Sequence, residues 1–298
     1  MSKSQLMLNF SLAKNKTRRI LTKICRLHKK QKLIVSLTSY PARITYVSQV
    51  IRSLFAQTTL PDLVVLYLST DQFPNKELDL PKDLLQCRSF DFEIHWVNDD
   101  LKSHKKYLYV FKEYPDDIIV TVDDDIICRF TLLEELLQGY HNHPACIIAL
   151  RAHAITFTNQ MIIRPYSEWI SEVGIYKPEL CNIESFQLFA TSGAGLLFPP
   201  HSLPDIAFDQ EVIKRTCLNA DDIWLKTMTT LSGFQTVTVP GWQGVSCIEG
   251  SQETSLWVTN RQGGNDQALS LIRDYCEQEL GVNSFDLLFL DKKINCKL

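Results

Sequence analysis

Short apolar segments alternate with amphipathic segments along the first half of this 298-residue chain. Apolar runs rich in β-branched residues are typical of strands buried in a parallel sheet, and apolar residues at helical spacing are typical of helices packed on one. By these criteria the predicted strands are residues 33–37, 63–68, 92–97 and 118–122, and the predicted helices are 45–56 and 102–114. This alternation predicts an α/β fold with a mainly parallel sheet flanked by helices.

The second half of the chain is less regular, and residues 151–190 combine many aromatic residues with weak periodicity. Asn219 is expected to cap a helix that ends at Gly233, because Asn is a favoured N-cap and Gly commonly follows a helix. The other predicted elements are helices at 132–140 and 263–279 and strands at 145–150, 196–198 and 235–239.

Charge is unevenly distributed along the chain. Residues 1–32 hold ten Lys or Arg and no Asp or Glu, which leaves 21 basic against 34 acidic residues in the remainder. Apolar residues at helical spacing within residues 1–32 predict a basic amphipathic leader. Two interpretations of it stay open: contact with an anionic membrane surface, or a solvated helix or tail beside the body. The acidic body would repel a phosphate backbone, so we expect no nucleic-acid partner.

Cysteine usage and hydropathy limit where the protein is expected to work. The nine cysteines are scattered singly with no CxxC pair, which argues for reduced thiols and against a disulfide framework or a structural zinc site. No apolar run reaches the roughly 18–20 residues of a membrane span, and no signal peptide is recognised. We therefore expect a cytoplasmic protein, peripheral on the cytoplasmic face of the inner membrane if the leader binds lipid.

Three consecutive carboxylates, Asp123, Asp124 and Asp125, directly follow the predicted strand at 118–122. Open α/β sheets bind their ligands just beyond the carboxyl ends of the strands, where these side chains would lie. Adjacent negative charges repel one another, and hard oxygen ligands without a nearby His or Cys suit Mg²⁺ or Mn²⁺. The triplet therefore predicts a divalent cation that also binds substrate phosphates. The alternative is a solvated acidic loop.

Five motifs follow one another along the chain: the strand and turn Ser36-Leu37-Thr38-Ser39-Tyr40-Pro41, Lys105-Lys106, the acidic triplet as a DxD motif, the loop Gly193-Ala194-Gly195, and Asp221-Asp222 at a helix start. In this order they resemble the motifs of glycosyltransferases of the GT-A fold, which use nucleotide-sugar donors. The resemblance covers roughly residues 33–240 and depends on the order of its motifs more than on any one of them. Within this class the chain is most similar to bacterial enzymes that build capsule or lipopolysaccharide sugars. The implied fold is a GT-A, Rossmann-like mixed sheet.

This resemblance implies a domain organisation and a set of binding residues. After the leader, residues 33–298 would form one GT-A domain, with a nucleotide-binding half at 33–130 and an acceptor-binding half at 131–298. Asp125 would bind the metal, and Asp123 would reach metal, ribose or sugar. Asp124 is expected to point elsewhere, because side chains alternate in an extended segment. The implied donor-binding residues are Thr38, Tyr40, Arg43, Asp71, Lys105, Lys106, Asp123, Asp124, Gly193, Ala194 and Gly195.

Asp222 and Asp221 are the predicted catalytic residues. Inverting members of this fold carry an acidic pair at a helix N-terminus, where one carboxylate takes the proton of the acceptor hydroxyl. Asp222 is preferred as this base, and a simple helix N-terminal charge is the alternative. Trp242, after a Pro-Gly turn, is the preferred aromatic platform for a sugar. Many metal-dependent relatives use a His near the C-terminus, but none follows Asp222 here. Phosphate and water, or a group such as Asn265 or Asp266, would complete the metal shell.

Together these expectations describe a metal-dependent, inverting glycosyltransferase. Its implied partners are a nucleotide sugar, expected to be UDP-linked, a cation such as Mn²⁺ or Mg²⁺, and a hydroxyl of a growing glycan or lipid-linked glycan. A metal-dependent nucleotidyltransferase is the alternative enzyme, although neither a GxxxxGK[ST] motif nor a Gly-rich loop follows the first strand. A membrane-associated scaffold without turnover is the non-enzymatic alternative.

Overall fold

The computed structural model describes residues 31–160, 162–251, 263–282 and 288. Within these residues, seven strands form one sheet and two more form a small separate pair. The strands are β1 (Leu33–Thr38), β2 (Leu63–Ser69), β3 (Phe92–Val97), β4 (Ile118–Thr121), β5 (Cys146–Ala149), β6 (Ala152–Ala154), β7 (Leu188–Ala190), β8 (Leu196–Phe198) and β9 (Gln235–Thr238). All but the last two residues of the basic leader lie outside the described residues, so both interpretations of the leader stay predictions.

Nine α-helices are described, and several of them are short. They are α1 (Val47–Leu54), α2 (Lys82–Gln86), α3 (Lys105–Leu108), α4 (Val110–Glu113), α5 (Leu132–Asn142), α6 (Val173–Tyr176), α7 (Gln210–Thr216), α8 (Asp221–Leu231) and α9 (Asn265–Gln278). Among the helices described, none combines the length and the apolar character that a membrane crossing requires.

The large sheet is mixed and mainly parallel, in the order β3-β2-β1-β4-β8-β5-β9. β1 runs parallel to β2 and β4, and β5 runs parallel to β9, whereas β8 is antiparallel to both β4 and β5. The predicted fold class is therefore confirmed. Because β8 is reversed, its beginning lies at the same edge of the sheet as the carboxyl ends of β4 and β5. Loops from both halves of the sequence meet there.

Side chains alternate across the sheet and pack into a core on each face. In β1, Ile34 belongs to one core, while Val35 and Leu37 belong to the other. The first core includes residues of α8 and α9, and the second includes residues of α1 and α5. The strands are thus covered on both sides, which explains their near-continuous apolar sequences.

One local prediction was confirmed in part and two were wrong. The predicted helix at 102–114 is a 3-10 turn at Lys102–His104 followed by α3 and α4, with an interruption at Tyr109. Asn219 is not the N-cap of its helix; Ala220 takes that position, without a side-chain cap. Trp242 is only 7% exposed and packs in the core with α1 and α5, so it offers no platform for a sugar.

Candidate functional site

The acidic triplet occupies a tight turn directly after β4. Val122 N donates to Ser36 O of β1 at 3.2 Å, which places the turn at the carboxyl end of that strand. A segment from the second half covers the turn: Ile248 N donates to Asp125 O at 2.8 Å, and Cys247 forms an antiparallel bridge with Ile126. The backbone of the triplet is therefore held from two sides.

The three carboxylates of the triplet divide between two cations. Asp123 Oδ1 lies 2.8 Å from Lys106 Nζ. Asp124 Oδ1 and Asp125 Oδ2 lie 3.1 and 2.9 Å from Arg43 Nη1. The expectation that Asp124 would point away from Asp125 was wrong, because residues 124 and 125 form a turn and the alternation of an extended strand does not apply.

Asp124 supports this turn from inside. It is buried and accepts a hydrogen bond from Ser39 Oγ, and Arg43 also stacks 5.8 Å from the centre of the Tyr40 ring. Burial raises the pKa of Asp124 to about 6, although the Ser39 hydrogen bond and the charge of Arg43 act in the opposite direction. Asp124 thus fixes Arg43 beside the more exposed parts of the site.

Lys106 joins the triplet to the acidic pair of α8. Its side chain is 2% exposed, and its Nζ lies 2.9 Å from Asp221 Oδ2 and 2.7 Å from Ser192 Oγ, in addition to its contact with Asp123. Burial alone would lower the pKa of Lys106, but the surrounding aspartates raise it further than burial lowers it. The ammonium therefore remains charged inside the protein.

Asp221 and Asp222 have opposite environments despite being adjacent. Asp221 accepts from Ser103 Oγ at 2.8 Å and from Lys106 Nζ; burial raises its pKa, but Lys106 and His104 lower it below the ordinary range. Asp222 is partly exposed, and its Oδ1 accepts from Ser192 N at 3.0 Å. Burial and the charge of Asp221 raise the pKa of Asp222 to about 7. One carboxylate is held ionised and the other can exchange a proton near neutral pH.

The loop Gly193-Ala194-Gly195 contains two glycines, and each position requires glycine for a different local reason. A Cβ on Gly193 would lie 2.8 Å from Asp123 Oδ2, so the glycine lets this loop approach the carboxylate. Gly195 has a positive φ of 98°, and a Cβ there would meet Leu132 at 2.7 Å. Gly195 thus permits close packing of the loop against α5, whereas Gly193 permits its approach to Asp123.

Three predicted donor-binding residues contact groups outside the acidic triplet and the acidic pair. Thr38 Oγ1 donates to Tyr67 O at 2.8 Å, and Asp71 N donates to Ser69 Oγ at 3.2 Å. Lys105 is 1% exposed, and its Nζ lies 2.7 Å from Asp100 Oδ1. These residues follow or face the carboxyl ends of β1, β2 and β3, so their roles toward a nucleotide stay predictions.

The triplet's carboxylates suit a divalent cation that takes few protein ligands. The Asp123 side chain is 37% exposed, whereas Asp125 is nearly buried and paired with Arg43. Over the described ranges of the chain, no three or more His, Cys, Asp or Glu side chains are grouped to hold a metal. Mg²⁺ or Mn²⁺ needs only one or two carboxylates when phosphates and water complete its shell. Asp123 and Asp125 fit such an ion, and Arg43 would compete with it for Asp125.

Several residues of the site were not predicted. Ser192 binds both Lys106 and Asp222, and it stood beside the glycine loop in sequence, which was a usable signal. Ser39, which holds Asp124, stood inside a quoted motif but was given no role. Ser103, which binds Asp221, had no sequence signal, because its partner lies in the other half of the chain.

No protein-family model matches the chain, and neither does any curated protein. Similar solved structures include a mannosyltransferase from Pyrobaculum calidifontis in complex with GDP-Man and Mn²⁺, 12% identical over 89% of this chain and 74% of that chain, with a TM-score of 0.48. Glucosyl-3-phosphoglycerate synthase from Mycobacterium tuberculosis in complex with Mg²⁺ and uridine-diphosphate is 11% identical over 83% and 80%, with a TM-score of 0.47. A CMP:2-keto-3-deoxy-manno-octonic acid synthetase complexed with CTP is 10% identical over 78% and 100%, with a TM-score of 0.44. These structures are glycosyltransferases and a nucleotidyltransferase. Their similarity to this chain is one of backbone fold, and it does not assign an activity.

Proposed function

We propose that the protein is a metal-dependent glycosyltransferase that moves a sugar from a nucleoside-diphosphate donor to a hydroxyl group, with inversion. One observation carries the proposal: the ammonium of Lys106 contacts both Asp123 of the acidic triplet and Asp221 of the acidic pair. A candidate phosphate and metal site is thereby joined, through one buried ion-pair network, to a candidate proton acceptor.

The donor would bind along the carboxyl ends of β1 to β4, where open α/β sheets hold nucleotides. Arg43 and Lys106 supply two fixed positive charges at this edge, and Asp123 and Asp125 would hold the cation. When bound, the metal would stabilise the negative charge that develops on the diphosphate as the sugar leaves.

Asp222 is the group best suited to act as the general base. Its Oδ1 is held by Ser192 N, and its Oδ2 has no hydrogen bond to any residue that the structure describes. A carboxylate whose pKa lies near neutral pH is well matched to accept a proton there. In the proposed step, Asp222 takes the proton of the acceptor hydroxyl, the hydroxyl oxygen forms a bond to the anomeric carbon, and the diphosphate departs with the electrons of the broken bond.

Asp221 has a different role in this proposal. Both of its carboxylate oxygens are engaged, Oδ1 by Ser103 and Oδ2 by Lys106. It is therefore a positioning residue that keeps a fixed negative charge beside Asp222. The choice of a UDP-linked donor, a surface-glycan acceptor and a location on the inner membrane extends the proposal from the motif resemblance and the basic leader.

The test is incubation with a panel of nucleotide sugars and Mn²⁺ or Mg²⁺, following both nucleoside diphosphate and pyrophosphate. Metal-dependent nucleoside diphosphate release that is lost in Asp125→Ala and kept in Asp116→Ala would support glycosyl transfer. Asp116 is a matched control because its side chain is 84% exposed at the far end of β4. Pyrophosphate release would instead indicate nucleotidyl transfer. If no nucleotide stabilises the fold or is turned over, the proposal is wrong and a scaffold role is favoured.

A further inference from the structure

Arg151 lies at the same edge of the sheet as the acidic triplet but has no part in the chemistry proposed above. It follows β5 by two residues, just as Asp123 follows β4, and β8 runs between those strands. The strands β4 and β5 are therefore two strand spacings apart, about 10 Å. Thr191 N donates to Arg151 O at 3.1 Å, so Arg151 is directly attached to the loop that carries Ser192.

The Arg151 side chain is held by a strained residue. Its Nε donates to Glu172 Oε1 at 3.0 Å, and Glu172 N donates to His153 Nδ1 at 2.9 Å. Glu172 has a φ of 47°, a left-handed conformation that is unfavourable for a non-glycine residue and is often found at functional sites. Burial, reinforced by Arg151, lowers the pKa of His153 to about 3, so the ring stays neutral and can accept this hydrogen bond.

The outer edge of the guanidinium remains available. No residue within the described ranges bonds to either terminal nitrogen of Arg151, and its side chain is 22% exposed. Once Nε is fixed by a carboxylate, the two terminal groups form a planar fork that matches the oxygen pair of a phosphate or a carboxylate. The arrangement is therefore suited to two-point recognition of an oxyanion.

The position of Arg151 favours the acceptor over the donor. The nucleotide half of the proposed site covers β1 to β3, β4 carries the triplet, and β5 lies on the far side. The sugar of a bound donor extends from its diphosphate away from the nucleoside, and so toward β8 and β5. Burial and Asp125 raise the pKa of Cys247, while Arg43 and Arg151 lower it, so the charge of Arg151 also reaches the segment covering the triplet.

We propose that Arg151, oriented by Glu172, binds an oxyanion of the acceptor, so that the acceptor is a molecule carrying a phosphate or a carboxylate group. This inference rests on the proposed function, because it is the glycosyl donor that places the acceptor beyond β4. The anion site itself is defined by Arg151, Glu172 and His153, and it can be tested whether or not turnover is found.

The experiment is isothermal titration of the full chain with inorganic phosphate, glucuronate and neutral glucose, each with and without saturating UDP and Mn²⁺. We expect phosphate or glucuronate, but not glucose, to bind the wild-type protein, and Arg151→Gln to weaken that binding at least tenfold. Arg164→Gln is the matched control, because Arg164 makes an ion pair with Glu168 on an exposed surface. It should bind as the wild type does. Stronger binding of phosphate than of glucuronate would identify the acceptor group as a phosphate. Stronger binding of glucuronate would identify it as a carboxylate.

Three results would overturn the inference. Wild-type protein that binds neither anion, or Arg151→Gln that binds both as well as wild type, would exclude an anion site at Arg151. A loss of UDP affinity in Arg151→Gln would assign Arg151 to the donor instead. Should this variant fail to fold, Arg151→Lys decides, since it keeps the charge and loses the fork: anion binding should fall at least threefold with UDP binding unchanged. Nucleotide-sugar turnover, measured separately, reports on the proposed function alone.

Discussion

The ammonium of Lys106 lies 2.9 Å from a carboxylate oxygen of Asp221, and both groups are removed from bulk solvent. Lys106 lies in α3, which precedes β4 in sequence, and Asp221 begins α8 in the other half of the chain. Replacing both partners of a buried ion pair with apolar groups often leaves stability unchanged. Removing only one partner leaves a buried charge unpaired and is strongly destabilising. The pair therefore makes folding and site assembly depend on each other.

Lys106→Met should destabilise the fold and abolish activity. Removing the cation leaves Asp221 buried without its main counter-charge, which costs about 3–5 kcal/mol in comparable proteins. Urea unfolding followed by circular dichroism measures the change. Lys214→Met is the control, because Lys214 pairs with Glu211 at the surface and should leave the midpoint almost unchanged. Equal midpoints for the two variants would show that the Lys106 network contributes nothing to the fold.

Asp222→Asn should lower turnover by about two to four orders of magnitude, the usual contribution of a positioned general base. In the wild type, the base works only when deprotonated, so kcat/KM should rise with pH through about 7 and then level off. The residual activity of the variant should lack this rise. A wild-type profile that is flat from pH 5 to 8 would exclude Asp222 as the base.

The same substitution should change the pH dependence of stability. The pKa of Asp222 is raised in the folded state, so between about pH 4 and pH 7 the folded protein binds more protons than the unfolded chain. This group therefore makes the wild type less stable as pH rises through that window. Asp222→Asn removes its contribution, so the variant's unfolding free energy should fall less between pH 5 and pH 8. Parallel denaturation series at those two pH values measure the difference in slope.

Asp221→Asn should move the pH profile instead of removing it. The charge of Asp221 is the second cause, after burial, of the raised pKa of Asp222. Without that charge, Asp222 should lose its proton more readily, and the rising limb of kcat/KM should shift to lower pH. If the limb disappears in Asp221→Asn and persists in Asp222→Asn, the roles assigned to the two residues are reversed.

The elements of this fold were predictable where one local pattern determines them. β3 and β8 lie where the sequence places them, because β8 is a short apolar run and β3 alternates apolar with polar residues. The order of motifs also predicted which segments carry carboxylates and small residues. Local pattern failed at Asn219, because Ala220 takes the N-cap position of α8 without a side-chain cap.

The pairing of charges within the site was not predictable from sequence. Lys105 and Lys106 are adjacent and chemically alike, yet Lys105 binds Asp100 while Lys106 binds Asp123 and Asp221. Which partner each lysine meets depends on how β3 and α8 pack against the segment, a relation between distant parts of the chain. The role of Arg151 was not predictable for the same reason. Its ion-pair partner, Glu172, lies 21 residues away in a stretch without periodicity.

Arg43→Gln should strengthen the binding of Mn²⁺ in the absence of nucleotide. Arg43 Nη1 lies 2.9 Å from Asp125 Oδ2, so a metal must displace the guanidinium or share the carboxylate with it. Charge-assisted hydrogen bonds contribute about 1.5–3 kcal/mol, so a rise in affinity of about tenfold or more is expected. Electron paramagnetic resonance of free Mn²⁺ gives the affinity directly. Weaker binding in the variant would mean that Arg43 organises the metal site instead of competing for it.

Gly193→Ala should reduce activity while leaving the fold intact. The backbone of Gly193 has no positive φ, so alanine is conformationally allowed there, but its Cβ would lie 2.8 Å from Asp123 Oδ2. The carboxylate must move by some tenths of an ångström, which alters its position toward metal and sugar.

Gly233 provides the opposite case, because it has a φ of 79° and no atom lies within 4 Å of its Cβ position. Gly233→Ala should therefore lower the unfolding free energy by about 1 kcal/mol with kcat unchanged. Kinetics and urea unfolding of both variants measure this reciprocal effect, and a loss of stability in Gly193→Ala as large as that in Gly233→Ala would contradict a role for Gly193 in placing Asp123.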